Sequence, residues 1–369
     1  MIFILFGHWR TQEKILRFSD KRGTYLMSYG NSQNWIFEMD SKSIWESIDS
    51  KRFQNTTLLI TGGTGLIGST LVRALLYANR HNNLHLKIIL WVRNQKKAEA
   101  IFGNGDELEF VEHDLLRMPR ISNKIDYIIH CANPTSSAFF LNNPADTINI
   151  AVEGTKNILE IARRNNTRSV IFLSSMEVYG FPKRGQKVTE NMLGGFDPTQ
   201  PRNSYPISKQ LCESLCCAYA AQYQIPAKII RLTQTFGPGV DYYDGRIFAE
   251  FARCAKEKRN IVLLTSGQTE RCYLYTADAV TAILTVLLDG EVGQAYTAAN
   301  KNTYCSILQM AQNFAKDNNL QVEIMPQDVN KLGYADTLYM NLDTEKIERL
   351  GWQPKVGLME MFQRMMETM

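Results

Sequence analysis

The run Thr57-Leu-Leu-Ile-Thr-Gly-Gly-Thr-Gly-Leu-Ile-Gly68 constrains this chain more tightly than any other stretch of it. Apolar and β-branched residues lead into glycines spaced Gly62-x-x-Gly65-x-x-Gly68. A helical pattern opens at Leu66 and continues through Leu71, Val72, Leu75 and Leu76. A buried strand that turns sharply into a helix gathers unpaired backbone N–H groups and the positive end of the helix dipole at one point. A pyrophosphate fits there. Gly62 supplies the tight turn, Gly65 leaves room for the phosphates, and Gly68 lets helix and strand pack closely. Leu66 and Ile67, in the first turn, complete the expected cofactor-binding loop. Three glycines alone also occur in turns that bind nothing. The strand before and the helix after them make dinucleotide binding the expectation.

A chain of 369 residues has room for one nucleotide-binding domain with a smaller partner. The net charge of +4 contains no basic block, so neither nucleic acid nor a membrane surface is an expected partner. The seven cysteines form no CxxC pair, and none of the five histidines stands in a metal-ligand spacing. Cys212, Cys216 and Cys217 share one predicted helix and read as small buried side chains. A reducing cytoplasm and no metal are expected. Residues 1–53 read as an N-terminal extension. Met1-Ile-Phe-Ile-Leu-Phe6 is too short for a signal h-region or a membrane span, and residues 7–34 have no period. The biological start is expected at Met27, and an amphipathic helix over 35–50 is expected to pack on the domain.

Beyond the first helix, Leu86–Val92 reads as a second buried strand ending in Arg93. An acid that holds the ribose hydroxyls is usual at this place in an NAD site. A guanidinium instead suits a 2′-phosphate and favours NADP over NAD, unless Arg93 points to solvent or stacks on adenine. A third strand over Leu108–Leu115 places Asp114 and Leu115 beside the adenine. A fourth over Ile125–Ala132 brings the small Ala132 to the cofactor. A helix over Ala145–Arg164 and a fifth strand over Ser169–Ser175 follow. Strand and helix alternate throughout, which implies a doubly wound parallel sheet covered on both faces.

At the end of the fifth strand stands Ser174-Ser-Met-Glu-Val-Tyr-Gly180, and Tyr205-Pro-Ile-Ser-Lys209 opens a long helical pattern. Tyr205 and Lys209 are i and i+4 on a helix, so they share a face. The lysine ammonium, with the charge of a nicotinamide nearby, is expected to lower the tyrosine pKa. Tyr205 can then take a proton from a substrate hydroxyl while Ser175 holds that oxygen. A YxxxK pair alone is common as an exposed helix pair. After a glycine loop and a serine-ended strand it is a strong sign of hydride-transfer chemistry.

These motifs together resemble the extended short-chain dehydrogenase/reductase family of nucleotide-sugar epimerases, dehydratases and decarboxylases, from about Thr57 to Pro354. The resemblance implies a Rossmann domain over about 54–236. A smaller α/β substrate domain, mainly 237–369, would return strands to the sheet. It implies a catalytic Ser175, Tyr205 and Lys209, a tightly bound NAD(P)+, and a nucleoside-diphosphate sugar as substrate. Phe236-Gly-Pro-Gly239 and Asp244-Gly-Arg246 are similar to the family's base-binding loop. Arg271 is similar to its diphosphate-gripping arginine, and Leu350-Gly-Trp-Gln-Pro354 to its closing motif. A homodimer through the helices near Ala145–Arg164 and Tyr205–Gln224 is implied by the family alone.

Within the family, 4,6-dehydratases carry an Asp-Glu pair after the catalytic Ser or Thr. Here Met176-Glu177 stands there, and methionine cannot protonate a leaving hydroxyl. The Ser-x-Glu-Val-Tyr-Gly pattern looks most like UDP-glucuronate decarboxylases, with Glu177 as a fourth catalytic residue. So does the stretch from His130 through Pro134 and Ser136, which would line the substrate site. Three positions depart from that pattern: Arg93, Ala151 in place of an asparagine, and Pro206-Ile-Ser208. The expected reaction passes through a 4-keto sugar. Decarboxylation leads, epimerisation follows, and reduction by NADPH or a non-catalytic NAD(P)-binding subunit are the remaining alternatives.

Overall fold

The computed structural model describes residues 14–20, 23–29, 34–119, 121, 123–327 and 337–369. Met1–Phe6 lies outside them. Strands β1 (Lys14–Asp20) and β2 (Gly23–Tyr29) pair antiparallel, with Lys14 opposite Tyr29 and Asp20 opposite Gly23. The sequence predicted no regular structure there. Helix α1 (Asn34–Trp45) matches the amphipathic helix expected over 35–50 and buries Ile36, Ile44 and Trp45. Its anchoring is polar as well as apolar. The Trp45 indole donates to the Ala74 carbonyl at 2.5 Å, and Asp40 accepts from the Tyr275 hydroxyl at 2.7 Å and from Arg364 at 3.0 Å. The helix therefore ties itself to segments more than 230 positions away, through charges that burial would otherwise penalise.

The nucleotide-binding half alternates as its sequence predicts. Strand β3 (Thr57–Thr61), α2 (Leu66–Asn82), β4 (Lys87–Val92), α3 (Gln95–Phe102), β5 (Leu108–Glu112) and β6 (Tyr127–His130) come first. Then come α4 (Ser137–Asn142), α5 (Pro144–Asn165), β7 (Ser169–Ser175), β8 (Lys187–Val188), α6 (Ser204–Tyr223) and β9 (Ala227–Leu232). Leu58, Leu59 and Ile60 are fully buried, as a central strand covered on both faces requires. Each such side chain contributes about 1.5–3 kcal/mol.

Strands β10 (Gln234–Phe236), β11 (Ile261–Leu263), β12 (Glu270–Tyr275), β13 (Ala295–Ala298), β14 (Asn300–Ser306), β15 (Val322–Ile324) and β16 (Tyr339–Leu342) lie in the later part of the chain. The helices there are α7 (Ile247–Glu257), α8 (Thr276–Asp289), α9 (Ile307–Asn318), α10 (Glu345–Glu348) and α11 (Leu358–Met366). The main sheet is parallel and seven-stranded in the order β13-β9-β7-β6-β3-β4-β5, so β13 crosses back from the later part to complete it. A second sheet runs β10-β12-β16-β8, with β14 antiparallel to β12.

The strand order reverses between β3 and β6, and the crevice at such a switch point is where open α/β sheets bind ligands. Helix α8 is buried on every face from Thr276 to Leu287, with Asp278 as its one buried charge. The closing motif pins it: Trp352 donates to the Asp278 carbonyl at 3.2 Å, and the Lys355 and Val356 amides donate to the Asp278 carboxylate at 3.0 Å. In α11, Met361, Phe362 and Met365 face the core.

Candidate active site

The glycine loop lies at the switch point. Gly62 has φ +70°, and a Cβ there would sit 2.7 Å from the Ala132 amide nitrogen at the end of β6. A Cβ on Gly68 would sit 2.2 Å from the Gly62 carbonyl oxygen, so the first turn of α2 closes directly onto the loop. Gly65 is the N-cap of α2 and offers no side chain to the helix end. The first N–H groups, those of Leu66, Ile67 and Gly68, thus keep no intrahelical acceptor, and the cradle is open to an anion. Beneath it, Thr61 Oγ1 meets His130 Nδ1 at 2.7 Å and accepts from the Ala132 amide at 3.1 Å, while Thr155 Oγ1 meets His130 Nε2 at 3.3 Å. Burial drives His130 down to about 3, so it is a neutral strut. Next to Ala132, both ends of the Asn133 amide are buried without a partner. A nicotinamide dinucleotide fits this open cradle, its uncapped helix end and its orphaned amide.

At the expected adenosine end, Arg93 and Asp114 present their side chains to solvent and Leu115 does not. Arg93 is exposed at the end of β4 and makes no hydrogen bond or ion pair among the described residues. Asp114 is exposed in the loop after β5 and accepts from the Leu116 amide at 3.0 Å. The side chain of Leu115 is buried in the core, within 2.5 Å of where a Gly154 Cβ would stand. Leu115 therefore offers a ligand only its main chain. Strand β5 stops at Glu112, short of the expected Leu115, because the chain turns at Asp114.

The catalytic candidates meet where β7 ends and α6 begins. The Ser175 hydroxyl accepts from the Glu177 amide at 3.2 Å and lies close enough to Tyr205 to favour ionisation of its phenol. Tyr205 is buried, and its ring stacks on Phe140 of α4 at 4.2 Å with the planes 13° apart. Lys209 is buried one turn on. It donates to the Leu173 carbonyl at 2.6 Å and stands 4.6 Å over the Phe172 ring, against 5.9 Å to the ring of Tyr205. Burial pulls its pKa down to about 8. The expected lowering of Tyr205 is corrected here. Burial, and then the charge of Glu177, push the phenol well above its ordinary range, and the Ser175 hydrogen bond only opposes them. Lys209 is turned towards β7, so the chain alone holds Tyr205 neutral.

Glu177 keeps 34% of its side chain exposed, yet enclosure by the cleft walls raises its pKa against Arg202 and then Arg271. Arg202 approaches it at 3.9 Å from the turn Pro201–Asn203. Arg271 donates to Gln234 at 2.7 Å and leaves its Nε buried without a partner. Met176 is buried, its sulfur 3.3 Å from the Thr233 hydroxyl. Behind Ser175, Ser174 donates to Glu213 at 2.5 Å, and Glu213 holds Arg231 through two contacts at 2.9 and 2.7 Å.

The other substrate candidates do not join this cluster. Arg246 is held by Asp244 at 2.6–3.1 Å and lies 4.7 Å over the ring of Phe248. Ser136 is the exposed N-cap of α4, and Pro134 is half-buried just before it. Phe140 was not singled out in the sequence, and Asn133 and Arg202 stood there only within longer stretches, His130–Ser136 and Pro201–Tyr205, similar to the decarboxylases. Phe140 looks like one more apolar residue in a six-residue helix, and Arg202 lies in Pro201-Arg-Asn-Ser-Tyr205, whose likeness to the decarboxylases assigns it no role by itself. Ala151, a departure from the family pattern, is buried and takes a hydrogen bond from Cys212 Sγ at 3.3 Å, which brings α5 and α6 close.

The model of the NAD dependent epimerase/dehydratase family matches residues 58–300. The chain belongs to that family. This epimerase/dehydratase-family enzyme is 30% identical over 314 residues to UDP-glucuronic acid decarboxylase 6 of Arabidopsis thaliana, covering 85% of this chain and 88% of the relative. It is 28% identical to UDP-glucuronic acid decarboxylase 1 of Xenopus tropicalis over 82% of this chain and 69% of the other. Among solved structures, UDP-glucose 4-epimerase of Thermotoga maritima with UDP-glucose superposes with a TM-score of 0.72 at 22% identity, covering 85% of this chain and 98% of that one. dTDP-glucose 4,6-dehydratase of Streptomyces venezuelae with NAD bound gives 0.71 at 24%, covering 84% and 95%. These two likenesses are of fold. Among the described residues, no helix is long and apolar enough to cross a membrane.

Proposed function

We propose that this enzyme decarboxylates a nucleoside-diphosphate uronic acid, with UDP-glucuronate as the substrate to test first. The observation that carries this reading is the side-chain set at the end of β7. Ser175 acts on the Tyr205 phenol, and Glu177 stands beside them. Met176, where dehydration would need a proton donor, is buried in the core. The decarboxylase relatives support it.

In this reading Ser175 holds the C4 oxygen, and Tyr205 takes its proton as the tyrosinate, a form that the chain alone does not favour and that the positive charge of a bound nicotinamide, added to the Lys209 charge one turn away, would favour. The nicotinamide cofactor, when bound in the Gly62–Gly68 cradle, supplies a reversible hydride acceptor for C4. A ketone at C4 makes the C5 carboxylate a β-keto acid. The C5–C6 bond breaks, its electron pair moves into the C4 carbonyl, and carbon dioxide leaves. Glu177 lies where it can return a proton to C5, and its raised pKa suits a group that must hold one. Phe140 and the buried floor keep water from the Tyr205 hydroxyl.

Incubation with UDP-glucuronate should release carbon dioxide and a UDP-pentose, and Tyr205→Phe should lower the rate by about 10²–10⁴. Absence of turnover with both NAD and NADP ends the proposal. The exposed, unpaired Arg93 favours a 2′-phosphate. Nucleotide released from denatured protein is then NADP, and NAD would remove that preference.

The assembly proposed is a homodimer through α5 and α6, whose outer faces leave Ile148 38%, Leu211 45% and Tyr223 43% exposed. A monomer by light scattering excludes it. Seven free thiols support a reducing, cytoplasmic setting.

A further inference from the structure

Helix α1 precedes residues 58–300, which carry the family likeness, yet it reaches both halves of the molecule. On one side it grips α2. Glu38 pairs with Arg80 at 2.6 Å, the Arg73 guanidinium lies 4.4 Å over the ring of Phe37, and Trp45 donates to the Ala74 carbonyl. On the other side it grips the later part of the chain. Asp40 accepts from Tyr275 at the end of β12 and from Arg364 of α11, and Ser47, just past the helix, accepts from Lys355 at 2.7 Å. Helix α2 opens at the cradle, and β12 carries Arg271. A helix fastened to both fixes how they stand relative to each other.

The two sides meet at Gly239. A Cβ there would sit 3.7 Å from Cδ1 of Leu66, the first residue of α2, and 3.8 Å from the ring of Phe37. The Gly239 amide donates to the Thr368 hydroxyl at 3.0 Å, beyond α11. The turn at Gly239 thus rests on three segments remote from it in sequence, and it opens the run 240–246. The far end of that run is tied down: Arg253 of α7 donates to the Asp244 carbonyl at 2.9 Å, and Asp244 pairs with Arg246 at 2.6 Å. Between the ends, Tyr243 is 85% exposed. At the near end, Gly239 has the Thr368 bond and the packing surface of Leu66 and Phe37.

We infer that Phe37 is a positioning residue for the loop 237–246, and that α1 is part of the scaffold of the substrate site. The inference rests on reading that loop as the seat of the nucleoside diphosphate. Phe37 acts through Gly239: the Arg73 guanidinium orients its ring, and the ring backs the turn. Removing the ring leaves a gap beside Leu66, while Ile36, Ile44 and Trp45 still bury α1. The cradle N–H groups are set by the glycine loop itself, so dinucleotide binding does not depend on Phe37.

The test measures binding of UDP, NAD and NADP by calorimetry, and hydrogen exchange of the amides 240–246, in the native chain and three variants. Phe37→Ala should weaken UDP by about 5–20-fold and the tighter dinucleotide by less than about twofold, with faster exchange over 240–246. Phe37→Leu, which restores an apolar support, should recover most of the UDP affinity. Glu38→Gln breaks a half-exposed α1–α2 ion pair and should leave both affinities unchanged. Equal losses of UDP and dinucleotide in Phe37→Ala overturn the inference, because the variant then loosens the fold at large. Unchanged UDP affinity and exchange overturn it too, as does a loss in Glu38→Gln as large as that in Phe37→Ala. Native protein that binds no UDP, with exchange still quickened in Phe37→Ala, sinks the nucleoside-diphosphate reading of the loop and leaves the support by Phe37 standing.

Discussion

The rings of Phe140 and Tyr205 stack 4.2 Å apart with their planes 13° from parallel, joining a short helix after β6 to the start of α6. The stack fixes the plane of the phenol and so the direction in which its oxygen meets Ser175. A misplaced reacting group costs up to about 10²-fold in rate. Phe140→Leu, which keeps an apolar side chain in the core, should lower kcat about tenfold at nearly unchanged KM. Steady-state kinetics beside a circular-dichroism spectrum of the folded variant measures this. An unchanged kcat would reduce the stack to ordinary packing.

Lys209 is buried, and its pKa is pulled down to about 8 by desolvation. The ammonium is the useful form, because only it supports charge developing on Tyr205. In the free enzyme kcat/KM should hold below pH 8 and fall about tenfold per unit well above it, as Lys209 loses its proton. The profile is read from kcat/KM between pH 6 and 10. A flat alkaline limb would show that a bound ligand, and not the protein, sets the charge on this lysine.

Asp40 is held at about 6 against an ordinary 3.8, first by burial, with Tyr275 and Arg364 opposing. The native state binds the extra proton between these values, so stability falls as pH rises from about 4 to 6. The whole change amounts to at most about 3 kcal/mol. Asp40→Asn should flatten that slope. Chemical denaturation midpoints at pH 4.5 and 7 compare the two proteins, and equal slopes would remove Asp40 from the pH dependence.

Glu213 and Arg231 form an ion pair at 2.7 Å with side chains only 7% and 5% exposed. Removing one partner strands the other charge in the core, at about 3–5 kcal/mol. Glu213→Gln should therefore destabilise the protein heavily, whereas the paired change Glu213→Leu with Arg231→Met should recover much of the loss. Because Ser174 donates to Glu213, the single variant should also lower kcat by loosening the end of β7. Urea midpoints for the two variants beside the native protein decide it.

Much of the architecture was legible in the chain. Strand β7 runs Ser169–Ser175 as expected, and α2 opens at Leu66, because buried strands and amphipathic helices write their periods locally. The Ser175, Tyr205 and Lys209 cluster was legible for the same reason: its members sit at motif positions fixed by nearby backbone. The hairpin β1–β2 was missed, since its segment shows no period of apolar residues. The i,i+4 spacing places Lys209 on the right face without revealing that the Leu173 carbonyl receives its ammonium.

The sequence by itself determined the alternation of strand and helix from β3 to β9, the glycine loop at Gly62–Gly68 and the candidate groups Ser175, Tyr205 and Lys209. Only the tertiary structure decided which distant side chains surround them. Asp40 with Tyr275, Phe140 with Tyr205, and Glu177 with Arg202 are contacts between elements separated along the chain. Backbone conformation depends on neighbours a few residues apart, so it leaves a periodic trace. Charge and desolvation depend on whatever packing brings within a few ångströms, and no spacing in the chain encodes that.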